Sequence, residues 1–241
     1  MIRKPNFKFN WKYALGELVL IFLGISLAIT FQNWNKERKN NVELRSILLN
    51  LETELKEDSS AFQLTFERLR YREKNIAQPQ GFFKNLPQQI DSSKTIISII
   101  SSSFITTYYP GFAVYKELQG SGKLSLVKSN ELKKGLAAYQ SNVTMGQGLD
   151  ANYHPHSKVL EKKMLSYLSG TPEVVGYDTI PPPAYKKIKF DLREMSLDQE
   201  LTENLQFASY CTRVERAYKQ RVVMTSLQNL LAMVRDELDT K

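Results

Sequence analysis

The stretch from Tyr13 to Phe31, YALGELVLIFLGISLAITF, constrains this chain more than any other. It is the one long apolar run in 241 residues, and Glu17 is its only ionisable residue between Ala14 and Phe31. At about 1.5 Å per residue those positions reach about 27 Å as a helix, close to the hydrocarbon thickness of a bilayer. Trp11 and Trp34, the only tryptophans, bracket the run, as interfacial aromatic anchors do. Arg3, Lys4, Lys8 and Lys12 precede it, and Lys36, Arg38, Lys39 and Arg45 follow. The expected element is a transmembrane helix over 13–34, behind a basic tail over 1–12. Ser26-Leu27-Ala28 resembles a small-x-small cleavage site, but apolar sequence continues through Ile29 and Phe31 to Trp34, which argues against a cleaved leader. A soluble hydrophobic core helix is the other rival.

Within the span Glu17 has two readings. It is a snorkelling carboxylate near a helix amino terminus, where the dipole favours negative charge, or a polar contact with another membrane helix. Gly24 and Ala28 form one small-xxx-small pair, and Ser26 and Thr30 form a second. Such pairs allow close helix approach and raise self-association through the membrane as an expectation.

The charge distribution points the same way. The net charge is +8. Residues 1–45 hold 8 Lys+Arg against 3 Asp+Glu, and the remaining 196 hold 25 against 22. Most of the basic excess is therefore juxtamembrane, where each Lys or Arg near an anionic surface is worth about 1 kcal/mol. No basic run with interleaved aromatics follows, so no nucleic-acid partner is expected. The one cysteine, Cys211, excludes an internal disulfide and a multi-cysteine metal site. Equal numbers of basic residues on the two sides leave orientation open by count. The short positive tail favours a retained amino terminus and a translocated carboxy-terminal domain.

Beyond the span, Leu44, Leu48, Leu51, Leu55, Phe62, Phe66, Leu69 and Ile76 recur mostly at steps of three and four, with Asp58 and Glu73 completing the series. This predicts a long amphipathic helix over 35–78, continuous with the span and ended by Gln78-Pro79-Gln80-Gly81. A second helix is expected over about 89–103. Thr106–Gly111 reads as a turn. Gly120 or Gly122 suits a left-handed helix cap, and Ser129 or Asn130 the next N-cap. The glycines of Met145–Asp150 are expected to interrupt or kink the following helix, and Val159–Leu168 to form another. Residues 170–190, with Pro181-Pro182-Pro183, read as a connecting loop with a short extended piece at 173–177. A last long helix is expected from Ser196, as N-cap, to Leu238. Its apolar face carries Leu201, Leu205, Ala208, Cys211, Val214, Tyr218, Val222 and Thr225, so Cys211 reads as a buried structural thiol.

Two blocks of this sequence carry a resemblance. The first is Tyr13-Ala14-Leu15-Gly16-Glu17 with Leu23-Gly24-Ile25, Ala28 and Asn33-Trp34-Asn35. The second is Tyr115–Leu124 with Leu126-Val127, Asn130, Leu132 and Tyr139. Together they resemble a family of uncharacterised single-pass bacterial envelope proteins. The resemblance implies an architecture, in which the second block is a helix, a Ser-Gly turn and another helix. It implies no activity.

The expectation is an all-α chain. An N-terminal transmembrane helix continues into a long amphipathic helix and packs in a bundle with middle helices and loops over 79–195 and a C-terminal long helix over 196–241. Catalytic constellations are missing: there is no G-x-S-x-G and no P-loop. Gly120-Ser121-Gly122 lacks phosphate-loop spacing. His154 and His156, with Asp150 or Glu161, are the best metal candidates, in what reads as a loop around Pro155. Accordingly no catalytic, cofactor or metal site is assigned, and no enzyme is expected. The expected partners are the lipid bilayer and further copies of the chain. The expected role is a membrane-anchored interaction or scaffold protein, placed in the bacterial inner membrane with its carboxy-terminal domain periplasmic. A sensory bundle that binds a small ligand near Tyr108–Tyr115 and Tyr139 is the alternative.

Overall fold

The computed structural model describes residues 11–84, 98, 101–102, 107–169 and 189–239. Its dominant element is α1, Trp11–Lys84, an unbroken helix of 74 residues that runs about 110 Å at the standard rise. The elements that follow are α2 (Ala113–Gly120), a 3₁₀ turn (Lys123–Leu126), α3 (Asn130–Ser166), β1 (Leu168–Ser169), β2 (Lys189–Phe190), α4 (Leu192–Leu197), α5 (Gln199–Tyr218), a π-helical segment (Lys219–Val223) and α6 (Met224–Asp239). The fold is all-α. Its only pairing among the described residues is the two-residue antiparallel contact of β1 with β2, with Leu168 opposite Phe190.

The α5–π–α6 rod packs along both α1 and α3, and α1 and α3 meet through longer side chains, as where Tyr139 reaches Asp58 and Arg72 reaches Ser157. The eight apolar residues expected on one face of α1, Leu44 to Ile76, are all buried. They pack into two apolar clusters. The one nearer the apolar segment of α1 joins Leu44–Phe66 to Leu132–Val143 of α3 and Val223–Leu238 of the last rod. The distal one holds Ile76, Leu160, Met164, Met195, Leu201, Leu205 and Ala208. Each such leucine removed from water contributes about 1.5–3 kcal/mol.

The helix does not end at Pro79. Proline lacks the N–H that would bond the carbonyl four residues back, here that of Asn75. The Ser98 hydroxyl donates to that carbonyl at 2.9 Å instead. A partner distant in sequence thus satisfies the group that proline orphans, and α1 continues to Lys84. The glycines at 145–150 and Pro155 likewise fail to break α3. A Cβ on Gly146 would sit 3.4 Å from the Tyr218 ring, and one on Gly135 2.9 Å from Met233 Sδ. These glycines let the last rod approach α3. Ala151 and Pro155 are exposed, so the carbonyl freed by Pro155 meets solvent. The helix expected over Val159–Leu168 is the end of this same helix, which stops at Ser166, and Leu168 stands in β1.

The C-terminal helix also departs from expectation. It starts after Asp198, whose carboxylate accepts from Leu201 N at 3.0 Å. Ser196 lies inside the short α4, capped by Asp191. The buried face then runs through Thr212, Glu215, Lys219 and Val223, whereas Val222 and Thr225 are exposed and Val214 and Tyr218 half-buried. From Leu201 to Leu238 the buried residues complete ten steps of three or four over 37 positions. A regular helix uses about 36 residues for ten turns, and the π segment absorbs the extra one. The left-handed residue of the Gly-Ser-Gly turn is Gly122, at φ 71°, and Ser129 caps α3. The expected helix at 89–103 falls outside the described residues apart from 98, 101 and 102, which are helical; the extended piece at 173–177 and the triple proline fall wholly outside them.

The compensation at Pro79 is testable by a double-mutant cycle. Ser98→Ala is expected to cost about 1–3 kcal/mol by leaving a buried carbonyl unpaired. In a Pro79→Ala background, where the helical N–H is restored, most of that cost should vanish. Denaturant unfolding of the four proteins measures it.

Candidate functional site

Between the two apolar clusters lies a buried polar layer. Lys219, at the first position of the π segment, is 2% exposed. Its Nζ donates to Asp150 Oδ2 at 2.8 Å and to Glu215 Oε1 at 2.7 Å. The Tyr109 hydroxyl donates to the same Asp150 Oδ2 at 2.6 Å, and the ammonium lies 5.6 Å from the Tyr109 ring centre. Arg72 of α1, also buried, donates from Nη2 to Ser157 Oγ at 2.8 Å and from Nε to the Ser102 carbonyl at 3.2 Å. Two cations and two carboxylates are thus enclosed by α1, α3 and the last rod. Asp150 Oδ1 has no hydrogen-bond partner among the described residues.

Burial dominates the electrostatics. It raises Glu215 above its ordinary value, against the pull of Lys219. It lowers Arg72, whose guanidinium still keeps its charge at any ordinary pH. The Tyr109 hydroxyl is raised by burial and by its bond to Asp150. Cys211, within the same rod, is pushed up to about 11 by burial, so it is a thiol and not a thiolate at neutral pH.

A second polar node sits one residue and a few ångströms away. Asp58 of α1 is 4% exposed. It accepts from the Tyr108 hydroxyl at 2.5 Å and from the Tyr139 hydroxyl at 2.9 Å. Burial raises Asp58 despite those two bonds. Glu54, one turn earlier, caps α2 from outside: its carboxylate accepts from Ala113 N at 2.6 Å and Val114 N at 3.0 Å. This satisfies amino-terminal donors that no residue of α2 satisfies, because its N-cap, Phe112, adopts φ 53° and contributes no side-chain bond.

The tyrosines do converge, as the ligand reading requires, but on carboxylates of the protein itself. The space left beside Tyr108, Tyr109, Gly146, Lys219 and Val223 is about 10 Å³, room for about one water. Tyr115 is buried in the apolar cluster. His154 and His156 stand on α3 and not in a loop; two residues apart, they point about 200° from each other. The His156 ring packs edge-on against Phe207, with centroids 4.6 Å apart. Among the described residues no group of three His, Cys, Asp or Glu could hold a metal ion.

The residues expected to span a membrane behave differently from all of these. Trp11, Glu17, Gly24, Ala28, Phe31 and Trp34 all lie on α1 and are exposed. Tyr13 is on the same helix. None of the most apolar window of α1 is buried by the rest of the chain, and the helix is long and apolar enough to cross a membrane. The Phe31 and Trp34 rings lie 5.8 Å apart. The Thr30 hydroxyl is spent on the Ser26 carbonyl at 2.8 Å.

Fold and polar layer together define an all-α, three-bodied bundle carried on a helix whose first third is apolar and uncovered. Residues 17–143 match the model of a family of unknown function (DUF6090), and the chain belongs to that family. The matched region contains Asp58, Arg72 and the three tyrosines and stops short of Asp150. No curated protein and no solved structure matches the chain. The polar positions Thr212, Glu215 and Lys219 were missed by reading the last helix for apolar residues alone. Continuing the step of three or four from Leu205 and Ala208 through polar residues would have found them.

Two outcomes follow for the layer. Lys219→Met strands two buried carboxylates and is expected to cost about 3–5 kcal/mol, read by denaturant unfolding. Asp58 has a folded pKa above its ordinary value, so the folded state holds the extra proton and its contribution to stability falls as pH rises through that window. Wild type should therefore gain stability relative to Asp58→Asn as pH is lowered from neutrality toward the ordinary aspartate value, in paired thermal melts.

Proposed function

We propose that this protein is a single-pass, membrane-anchored interaction protein of the bacterial envelope, seated in the inner membrane with its bundle on the periplasmic side and associating with further copies of itself. The observation that carries this reading is the continuity of α1. One helix holds the uncovered apolar stretch and, from Leu44 onward, the buried seam of the bundle. Only about nine residues separate Trp34 from Leu44, about 15 Å of helix. The domain is therefore held close to the bilayer by a stiff element and not by a flexible tether. Its interior is filled by internal ion pairs and apolar packing, which suits a rigid presenting surface. Catalysis has no part in this reading.

A carboxy-terminal reporter active only outside the cytoplasm tests it, with intact mass measured on the same preparation. The expected result is an active reporter on the uncleaved chain. A silent reporter on a well-expressed chain would overturn the periplasmic placement, and loss of the first residues would overturn the anchor.

A further inference from the structure

Because α1 is unbroken, the angular position of every residue on it is set from the bilayer to the bundle. At about 100° per residue, the buried series from Leu44 to Ile76 clusters around one direction. The opposite direction carries Val42, Ser46, Leu49, Thr53, Ser60 and Leu64, all exposed. This stripe is apolar for a surface: Val42, Leu49 and Leu64 are 66%, 46% and 56% exposed. The Thr53 and Ser60 hydroxyls are already bonded to the carbonyls of Leu49 and Lys56, so covering them leaves no donor stranded. Extended into the apolar segment at the same pitch, the stripe runs through Gly24 and Ala28, within about 20° of its centre, and through Glu17. Ser26 and Thr30 fall on the side of the bundle core, and the Thr30 hydroxyl is internally spent.

We propose that this outer face of α1, from Gly24 and Ala28 up to Leu64, is a parallel two-fold seam for a second copy of the chain. The inference rests on the membrane-anchored reading and deepens it by naming the surface and its register. Whatever covers the stripe above the membrane also meets the small-residue pair within it, so the occupant supplies a helix that crosses the same bilayer. Copies in one membrane are parallel by necessity. Two of the three charged tiers along such a two-fold axis are complementary: Lys56 stands beside the other copy's Glu57 and, just above Leu64, Glu67 beside its Arg68, whereas Arg38 and Lys39 meet as like charges near the span; Lys56 also pairs with Glu52 of its own chain at 2.8 Å. Among the described residues the bundles lie on the far sides of the two helices. Gly24 and Ala28 allow the close backbone approach that such a crossing needs.

Single cysteines at Val42 and Leu49, on the stripe, and at Asn50 and Gln63, off its centre, test this in the full chain in native membranes. Oxidation with copper phenanthroline joins two thiols only where they meet. The native Cys211 is buried and serves as the unmodified control. The expected result is several-fold more dimer for Val42→Cys and Leu49→Cys than for Asn50→Cys and Gln63→Cys. Adding Gly24→Leu, or separately Ala28→Leu, should lower the Leu49→Cys dimer several-fold, because the helix transmits the misfit. Equal cross-linking on and off the stripe, or dimer that is indifferent to both span variants, overturns the seam while leaving self-association intact. Capture of a different protein at Val42→Cys overturns the second copy as occupant. A chain monomeric at every position overturns both the seam and the self-association in the proposed function, and the topology reporter separates that outcome from failure of the anchor.

Discussion

The rest of the structure depends on α1 remaining a helix for its full length. The last rod packs along one face of it, α3 reaches that face through side chains such as Tyr139, and the helix survives a proline that ordinarily costs about 3 kcal/mol in a helix interior. It survives because the Ser98 hydroxyl takes the place of the missing amide on the Asn75 carbonyl. Break that continuity and the distal cluster around Ile76 and Leu160 loses the face it packs against.

The second constraint is axial. Apolar packing alone lets helices slide, since one leucine fills a hole much like another. The Lys219 ammonium bridges Asp150 of α3 and Glu215 of its own rod, and Tyr108 and Tyr139 meet on Asp58 of α1. A slip by one turn, about 5.4 Å, would part Lys219 from Asp150 and set the Tyr139 hydroxyl against Phe62 in place of Asp58. The polar layer therefore works against wrong registers more than it adds stability, since desolvation offsets much of the Coulombic gain. The π segment belongs to the same arrangement: it keeps the faces upstream and downstream of Lys219 on one side of the rod.

Surface ion pairs contribute less. Lys163 with Asp198 and Glu200, and Glu52 with Lys56 and Arg235, tie neighbouring helices together, but exposed pairs are worth about 0–1 kcal/mol each. Asp198 is the best placed of these. The Tyr167 hydroxyl, the Leu201 amide and Lys163 together hold its carboxyl down to about 2. It caps α5 and anchors the end of α3 to it at once.

The apolar run, the step of three and four from Leu44 to Ile76 and the all-α class were legible in the sequence, because they depend on each residue's own hydrophobicity and on helical periodicity. So was a cap at Ser129 or Asn130, a local matter of a side chain reaching an amide; the structure uses Ser129. What the sequence could not decide were the places where a distant group changes a local preference. Pro79 reads as a stop until Ser98 supplies a donor. Gly146 reads as a break until Tyr218 occupies the space it leaves. Glu215 and Lys219 stand outside the apolar series until Asp150 and the π segment bring them inside. In each case local propensity is worth about 1–3 kcal/mol, and a tertiary contact of similar size reverses it. The long apolar helix at the amino-terminal end was therefore determined by the sequence alone; which polar residues form the interior was decided only by the packing of α1, α3 and the last rod.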